Sequence, residues 1–272
     1  MRNIVKLIIH LNIIEGINAM AACVFVFLLL GEKILLIPLI LSFFSTCFLY
    51  TLNRISDIKE DRINYPERVY FFEKFKNRLL LFFSFFYALS LLIAIFNSLF
   101  SFVALIFPFI LVFSYSFFRL KRFLFLKNLI VALGWSVTPF FVLTYVKTSS
   151  FLTVYASSII IFISVLINTI IFDIKDIKGD KMCKIFTLPN VYGIVFAKRT
   201  CYFLSVILLG LICLFLHYKI ISQNFVYLLL FPLYILGYVN KVTPKNAILV
   251  SEYVANLDMI VLSILSAISI IP

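Results

Sequence analysis

Charge is what this sequence has least of. Asp, Glu, Lys and Arg make up 13% of its 272 residues against 64% hydrophobic, and the mean hydropathy is +1.13. A soluble domain carries about a quarter charged residues, so the surplus apolar surface has to face lipid. Histidine occurs twice, at His10 and His217, in isolation. The five cysteines (Cys23, Cys47, Cys183, Cys201, Cys213) are scattered, four of them in apolar runs. No Cys-x-x-Cys or Cys/His pairing exists, which excludes zinc-binding motifs and a disulfide framework. A cleavable leader is not expected either, because the apolar run after Arg2 and Lys6 continues through Leu30 without a small-residue cleavage site. No linker, low-complexity tract or soluble segment interrupts the chain, so residues 1–272 are expected to form one membrane domain.

What the sequence does have is apolar runs of spanning length. Cutting at polar breaks gives about nine: 8–30, 34–52, 78–97, 99–118, 126–146, 151–172, 200–218, 222–239 and 250–271. They are continuously apolar rather than alternating, which predicts transmembrane helices and an all-α polytopic fold, not a barrel. With nine spans the N-terminal tail shares a side with the loops after spans two, four, six and eight. Those segments hold 21 of the 24 Lys and Arg residues, leaving Lys33, Lys147 and Lys219 for the other side. The positive-inside rule then places the N-terminus and the four even loops in the cytoplasm. Topology thus accounts for the net charge of +12. The basic residues lie in separate juxtamembrane loops without a stacking platform, which excludes nucleic acid as a partner.

Acidic residues follow another pattern: eight of twelve fall in the loops after spans two and six. If span two continues as helix, Asn53, Asp57 and Asp61 recur at i, i+4 and i+8 and form one polar stripe. In the second loop Asp173, Asp176 and Asp180 fall at i, i+3 and i+7, again on one face. The core Asp57-Ile-Lys-Glu-Asp61-Arg matches Asp176-Ile-Lys-Gly-Asp180-Lys four spans later, on the same membrane face. This predicts two four-helix-like repeats. Facing carboxylates repel unless a hard cation joins them; Mg²⁺ favours such oxygens and commonly completes its shell with substrate phosphates. Arg62, Arg68, Arg119, Lys121, Arg122, Lys175, Lys178 and Lys181 supply positive charge for phosphate oxygens. The inferred ligand is a Mg²⁺-bound diphosphate at the cytoplasmic mouth of an apolar cavity.

These residues resemble the motifs of the UbiA superfamily of intramembrane prenyltransferases over most of the chain. Asn53, Asp57, Asp61, Asn64, Pro66 and Arg68 match the first family motif, and Asp173, Asp176, Gly179 and Asp180 the second. Thr187-Leu188-Pro189 and Gly193 follow as in the family, Tyr115-Ser-Phe-Phe-Arg119 stands for its Tyr-x-x-x-Lys element, and Asn128 with Gly134-Trp135 resembles its next helix. The resemblance implies nine helices around a central cavity, with Mg²⁺ as cofactor. It also implies transfer of a polyprenyl group from a prenyl diphosphate to an aromatic or lipid acceptor in the membrane. The implied metal site is Asn53, Asp57, Asp61, Asp173, Asp176 and Asp180; the four aspartates Asp57, Asp61, Asp176 and Asp180 would be catalytic. Diphosphate would meet Arg62, Arg68, Tyr115, Arg119, Lys121 and Lys181. The chain departs from the motif at Arg54, where the family carries Asp, and at Val69, where it usually has Pro after Arg.

Inside the spans, Asn18 and Asn168 are the candidate cavity residues; Glu15, Glu252, Asn256 and Asp258 are further intramembrane polar groups. Phosphoribosyl transfer to a polyprenyl phosphate is the alternative enzyme reading, and Asn64-Tyr65-Pro66 argues against it. A transporter would call for midplane charges or paired broken helices, whereas the acids sit at one face and glycine (7) and proline (8) are sparse. A non-catalytic protein of the same fold is the remaining alternative, motivated by Arg54. The acceptor has no motif readable in one sequence.

Overall fold

The computed structural model describes residues 12–117, 123–147 and 150–271. The first half contains α1 (Ile13–Leu29), α2 (Leu36–Ser56), the short α3 (Ile58–Asn64), α4 (Pro66–Asn97), α5 (Leu99–Phe117), α6 (Leu126–Ser136) and α7 (Thr138–Leu143). The second contains α8 (Phe151–Met182), the one-turn α9 (Leu188–Val191), α10 (Ile194–His217), a 3-10 turn (Gln223–Leu229) running into α11 (Leu230–Lys241), α12 (Ala247–Tyr253), a second 3-10 turn (Ala255–Leu257) and α13 (Asp258–Ile268). Among the described residues no strand occurs.

Seven helices or helix pairs are long and apolar enough to cross a membrane: α2, α4, α5, α6 with α7, α8, α10, and α12 with α13. The 17-residue α1 and the segment Gln223–Lys241 bring the bundle to nine rods among the described residues. Two boundaries differ from expectation. The third rod starts at Pro66 rather than 78, with proline at its first turn where its missing N–H costs nothing. The sixth runs on to Met182, so the second acidic segment is a helical extension and not a loop. Hydropathy marks where lipid ends, while the Lys- and Arg-containing turns beyond it are still good helix formers. The rods close into a ring in the order α1, α2, α4, α5, α6, α8, α10, α11, α13 and back to α1.

Packing follows the lipid rule that small residues sit at helix contacts and large ones face out. A Cβ on Gly16 of α1 would lie 2.6 Å from the Phe43 ring and 2.7 Å from Cys47 Sγ of α2. Phe96 is 83% and Phe100 80% exposed, turned outward to lipid. In contrast α8 is largely covered by its neighbours, with Ile160, Ile167, Ile170 and Ile171 wholly buried.

The ninth rod is broken between α12 and α13, which releases backbone carbonyls that lipid cannot satisfy. Three helices supply the missing donors. Tyr234 Oη from α11 donates to the Val254 carbonyl at 2.6 Å, Asn168 Nδ2 from α8 to that of Ala255 at 2.5 Å, and Asn18 Nδ2 from α1 to that of Asn256 at 2.5 Å. The polar end of the ring gathers the C-termini of α2 and α8 with the N-termini of α4 and α12, and α3, α9 and α12 pack there against α8.

Candidate functional site

The first motif does not run as one unbroken helix. It hinges at Asp57, between α2 and α3. The expected i, i+4 stripe survives locally, since Asn53 Nδ2 donates to Asp57 Oδ2 at 3.0 Å, and Ser56 Oγ donates to Asp57 Oδ1 at 2.9 Å. The hinge lays α3 across α8, where Asn64 joins the two motifs. Its Oδ1 accepts from the Gly179 N–H at 2.9 Å and its Nδ2 donates to the Asp176 carbonyl at 3.2 Å. Gly179 is required by this approach: a Cβ there would sit 2.7 Å from the Glu60 carbonyl oxygen and press into the Asn64 amide. Tyr65 Oη adds a 2.7 Å hydrogen bond to Asp176 Oδ1. Burial and the adjacent Asp176 carboxylate hold the Tyr65 hydroxyl far above its ordinary range, so it stays a donor.

Each aspartate is thereby held in place. Asp61 pairs with Arg68 at 2.8 Å. Burial raises its carboxyl above the usual range; the Arg68 guanidinium opposes the rise, and Asp176 and Asp57 add to it. Asp173 is wholly buried in α8, with Oδ1 on Lys127 Nζ and Oδ2 on Asn128 Nδ2, both at 2.8 Å. Lys127 Nζ also lies 4.0 Å from Asp180 Oδ2. Behind them Glu252 of α12 accepts from Lys175 at 2.9 Å and faces Arg68 at 3.6 Å.

Two connected spaces result. A small chamber of ≈ 30 Å³ is lined by Asp57, Glu60, Asp61, Asn64, Tyr115, Lys127, Asp176, Asp180 and Ile185. It shares Asp57, Asp61, Asp176, Tyr115 and Lys127 with a cavity of ≈ 280 Å³ that descends between the helices. The upper wall of the cavity is polar, with Asn53, Arg54, Arg68, Asp173 and Lys175; the lower wall is apolar, with Leu105, Leu111, Val112, Ile130, Val131 and Phe141.

The donor set fits a magnesium–diphosphate group. Four aspartates meet at the chamber, and Asp180 Oδ2 is buried there without a hydrogen-bond partner. Among the described residues no three acidic, cysteine or histidine side chains already converge as a closed metal cage. Mg²⁺ favours carboxylate oxygens and commonly completes its shell with phosphate oxygens and water.

Of the residues named from sequence, Asp57, Asp61, Asp176, Asp180 and Tyr115 line the chamber, and Asn53, Arg68, Asp173 and Asn168 line the cavity. Arg62 is elsewhere, on an exposed 2.6 Å pair with Glu73. Lys181 is exposed and lines neither space. Asn18 closes the helix break instead of lining the cavity. Arg119 and Lys121 lie outside the described residues. Sequence reasoning passed over Lys127, whose partners are 46 and 53 positions away and leave no local pattern. Tyr65 gave no signal of its own, whereas Glu252 was already among the intramembrane polar groups and Asn128 beside Lys127 was marked by resemblance.

A helical ring whose acid-lined mouth opens into an apolar cavity defines the class: a polytopic helical membrane protein with an amphipathic internal cavity. The model of the UbiA prenyltransferase family matches residues 18–250, and the chain belongs to that family. No curated protein sequence matches it. Among solved structures it is similar to a UbiA homolog from Aeropyrum pernix K1 in apo form, with a TM-score of 0.70 at 16% identity, covering 95% of this chain and 97% of that one. A UbiA homolog from Archaeoglobus fulgidus bound to GPP and Mg²⁺ gives 0.66 at 19% identity, with 96% of each chain covered. A digeranylgeranylglyceryl phosphate synthase in membranes also gives 0.66, at 20% identity, covering 97% of this chain and 98% of that one. At these identities the likeness is one of fold.

Proposed function

We propose that the whole chain, 1–272, acts as one membrane domain that transfers a polyprenyl group from a prenyl diphosphate to an acceptor dissolved in the bilayer, with Mg²⁺. The observation that carries this is the junction of the acid-lined chamber with the apolar cavity, which matches a diphosphate joined to an isoprenoid chain. The geranyl diphosphate and Mg²⁺ bound by the Archaeoglobus fulgidus homolog support the same assignment.

Asp57, Asp61, Asp176 and Asp180 would hold the magnesium, with Asn53 orienting Asp57. Bound there, Mg²⁺ supplies Lewis-acid stabilisation of the charge that gathers on the leaving diphosphate. Asp173, with both oxygens already engaged, fixes Lys127 so that its ammonium faces the chamber. Lys127 and Arg68 add fixed positive charge near the leaving group, and Tyr115 completes the wall. The apolar lower cavity holds the prenyl chain and excludes water from its reacting carbon. The distribution of Lys and Arg supports a cytoplasmic mouth.

Binding of tritiated geranylgeranyl diphosphate to the full chain in nanodiscs, with Mg²⁺ or with EDTA, is the test. Binding that requires Mg²⁺, followed by label transfer once membrane lipid extract is added, is expected. Equal or absent binding in both conditions sinks the proposal.

A further inference from the structure

Tyr50 near the end of α2 and Trp135 near the end of α6 both line the cavity, and Trp135 Nε1 donates to Tyr50 Oη at 3.2 Å. The two helices are not neighbours in the ring, since α4 and α5 stand between them. The bond therefore runs across the cavity rather than along its wall.

The helices themselves fix its distance from the chamber. Tyr50 is seven residues before Asp57, Trp135 is eight residues after Lys127, and Asp57 and Lys127 both line the chamber. At the rise of an α-helix these intervals are about 10 Å and about 12 Å. Pro108 of α5, seven residues before the chamber residue Tyr115, is at the same level beside Gly134. Beyond the bond the cavity continues between Ala19, Ser42, Ala104, Leu105 and Phe141. These side chains are apolar or small, and Ser42 Oγ already donates to the Leu39 carbonyl at 2.8 Å, so the surface suits hydrocarbon.

An extended chain advances ~1.2 Å per bond, a third of a backbone residue, so a five-carbon prenyl unit of four bonds covers ~5 Å. With its diphosphate in the chamber, the first unit ends well short of the two rings and the second reaches them. A third unit has to pass the line between them.

We propose that the Tyr50–Trp135 hydrogen bond is a bar that sorts donors by chain length: a short prenyl diphosphate binds with it closed, and a long one binds only by breaking it. This deepens the prenyl-transfer reading above and rests on it. Each ring turns on two side-chain torsions, so opening needs no movement of a helix. The lost hydrogen bond falls on long donors alone.

Trp135 is the single tryptophan of the chain, so its fluorescence reports on the bar without any substitution. The full chain in nanodiscs with Mg²⁺ is given dimethylallyl diphosphate or geranylgeranyl diphosphate. Binding is measured first, with tritiated geranylgeranyl diphosphate and its displacement by the five-carbon donor. If wild type binds neither, the prenyl-transfer reading itself falls and takes this inference with it. Given binding, the long donor should shift the Trp135 emission and the short one should not. A shift as large with the short donor, or none with the long one, overturns the inference. So does a short donor that fails to displace the long one, since its chain fits above the closed bar. Tyr50→Phe keeps the ring and removes the bond. It should move the ratio of the two dissociation constants toward the long donor by about three- to tenfold, the worth of one neutral hydrogen bond. Trp135→Phe should do the same, and the double variant should go no further than either, because both break one bond. An unchanged ratio, or two shifts that add, overturns the inference. Should neither variant fold, the emission of wild type still decides.

Discussion

At Gly179 the two acidic motifs come within one atom's width of each other, because the Asn64 amide bonds to the backbone on either side of that contact. Gly179→Ala forces α3 away from α8, and overpacking of this kind costs about 1–3 kcal/mol. Since Asp57 and Asp61 travel with α3, Mg²⁺-dependent donor binding should weaken by about tenfold or more, as titration of labelled prenyl diphosphate would show. Unchanged binding would mean the motifs do not depend on this clip. Lys127 permits a sharper measurement. Lys127→Met leaves the wholly buried Asp173 with no cation, and breaking a buried pair on one side costs about 3–5 kcal/mol. A large drop in thermal stability is expected, relieved when Asp173→Asn is added. Asp61→Ala and Asp180→Ala should each remove turnover, by at least about 100-fold, in protein that still elutes as a folded species. The motif aspartates were legible because their spacing is local. Lys127 was not, since its meaning lies in Asp173, 46 residues away. Arg62 and Lys181, read as phosphate partners from their charge, line neither the chamber nor the cavity, since charge does not say which side of a helix a residue occupies.

At the scale of elements, hydropathy located the nine rods but not their ends or breaks. Pro66 and the turns after Phe172 extend two helices beyond the membrane signal; the second extension carries Asp173, Asp176 and Asp180, the first carries Arg68, and Asp57 and Asp61 sit at the hinge and on α3 before it. The break in the ninth rod is equally invisible to periodicity, because its cause is distributed. Val254, Ala255 and Asn256 depart from regular helix, and the donors that make the break tolerable, Tyr234, Asn168 and Asn18, come from three distant helices. Asn18 therefore acts in closing the ring between α1 and α13. Asn18→Leu leaves a buried carbonyl unpaired, a loss of about 1–3 kcal/mol. Thermal unfolding in detergent should move to lower temperature while Mg²⁺-dependent donor binding persists. Loss of donor binding in well-folded protein would return Asn18 to the substrate side.

For the whole molecule, closure of the ring and the distribution of charge make one joint prediction. Nine crossings would put the two chain ends on opposite sides of the membrane, with 21 of 24 Lys and Arg residues on the side of the N-terminus. Because a side rich in Lys and Arg is expected in the cytoplasm, the chamber between α3 and α8 is expected to open there, and the C-terminus is expected outside. Fusions to the intact chain read this directly in a bacterial host. Green fluorescent protein at the N-terminus should fluoresce, and alkaline phosphatase at the C-terminus should be active. A fluorescent N-terminal fusion together with a silent C-terminal phosphatase would mean an even number of crossings. The two acidic motifs would still share a face, since their helices pack together through Asn64, but the Lys and Arg count would lose the parity on which the cytoplasmic placement depends.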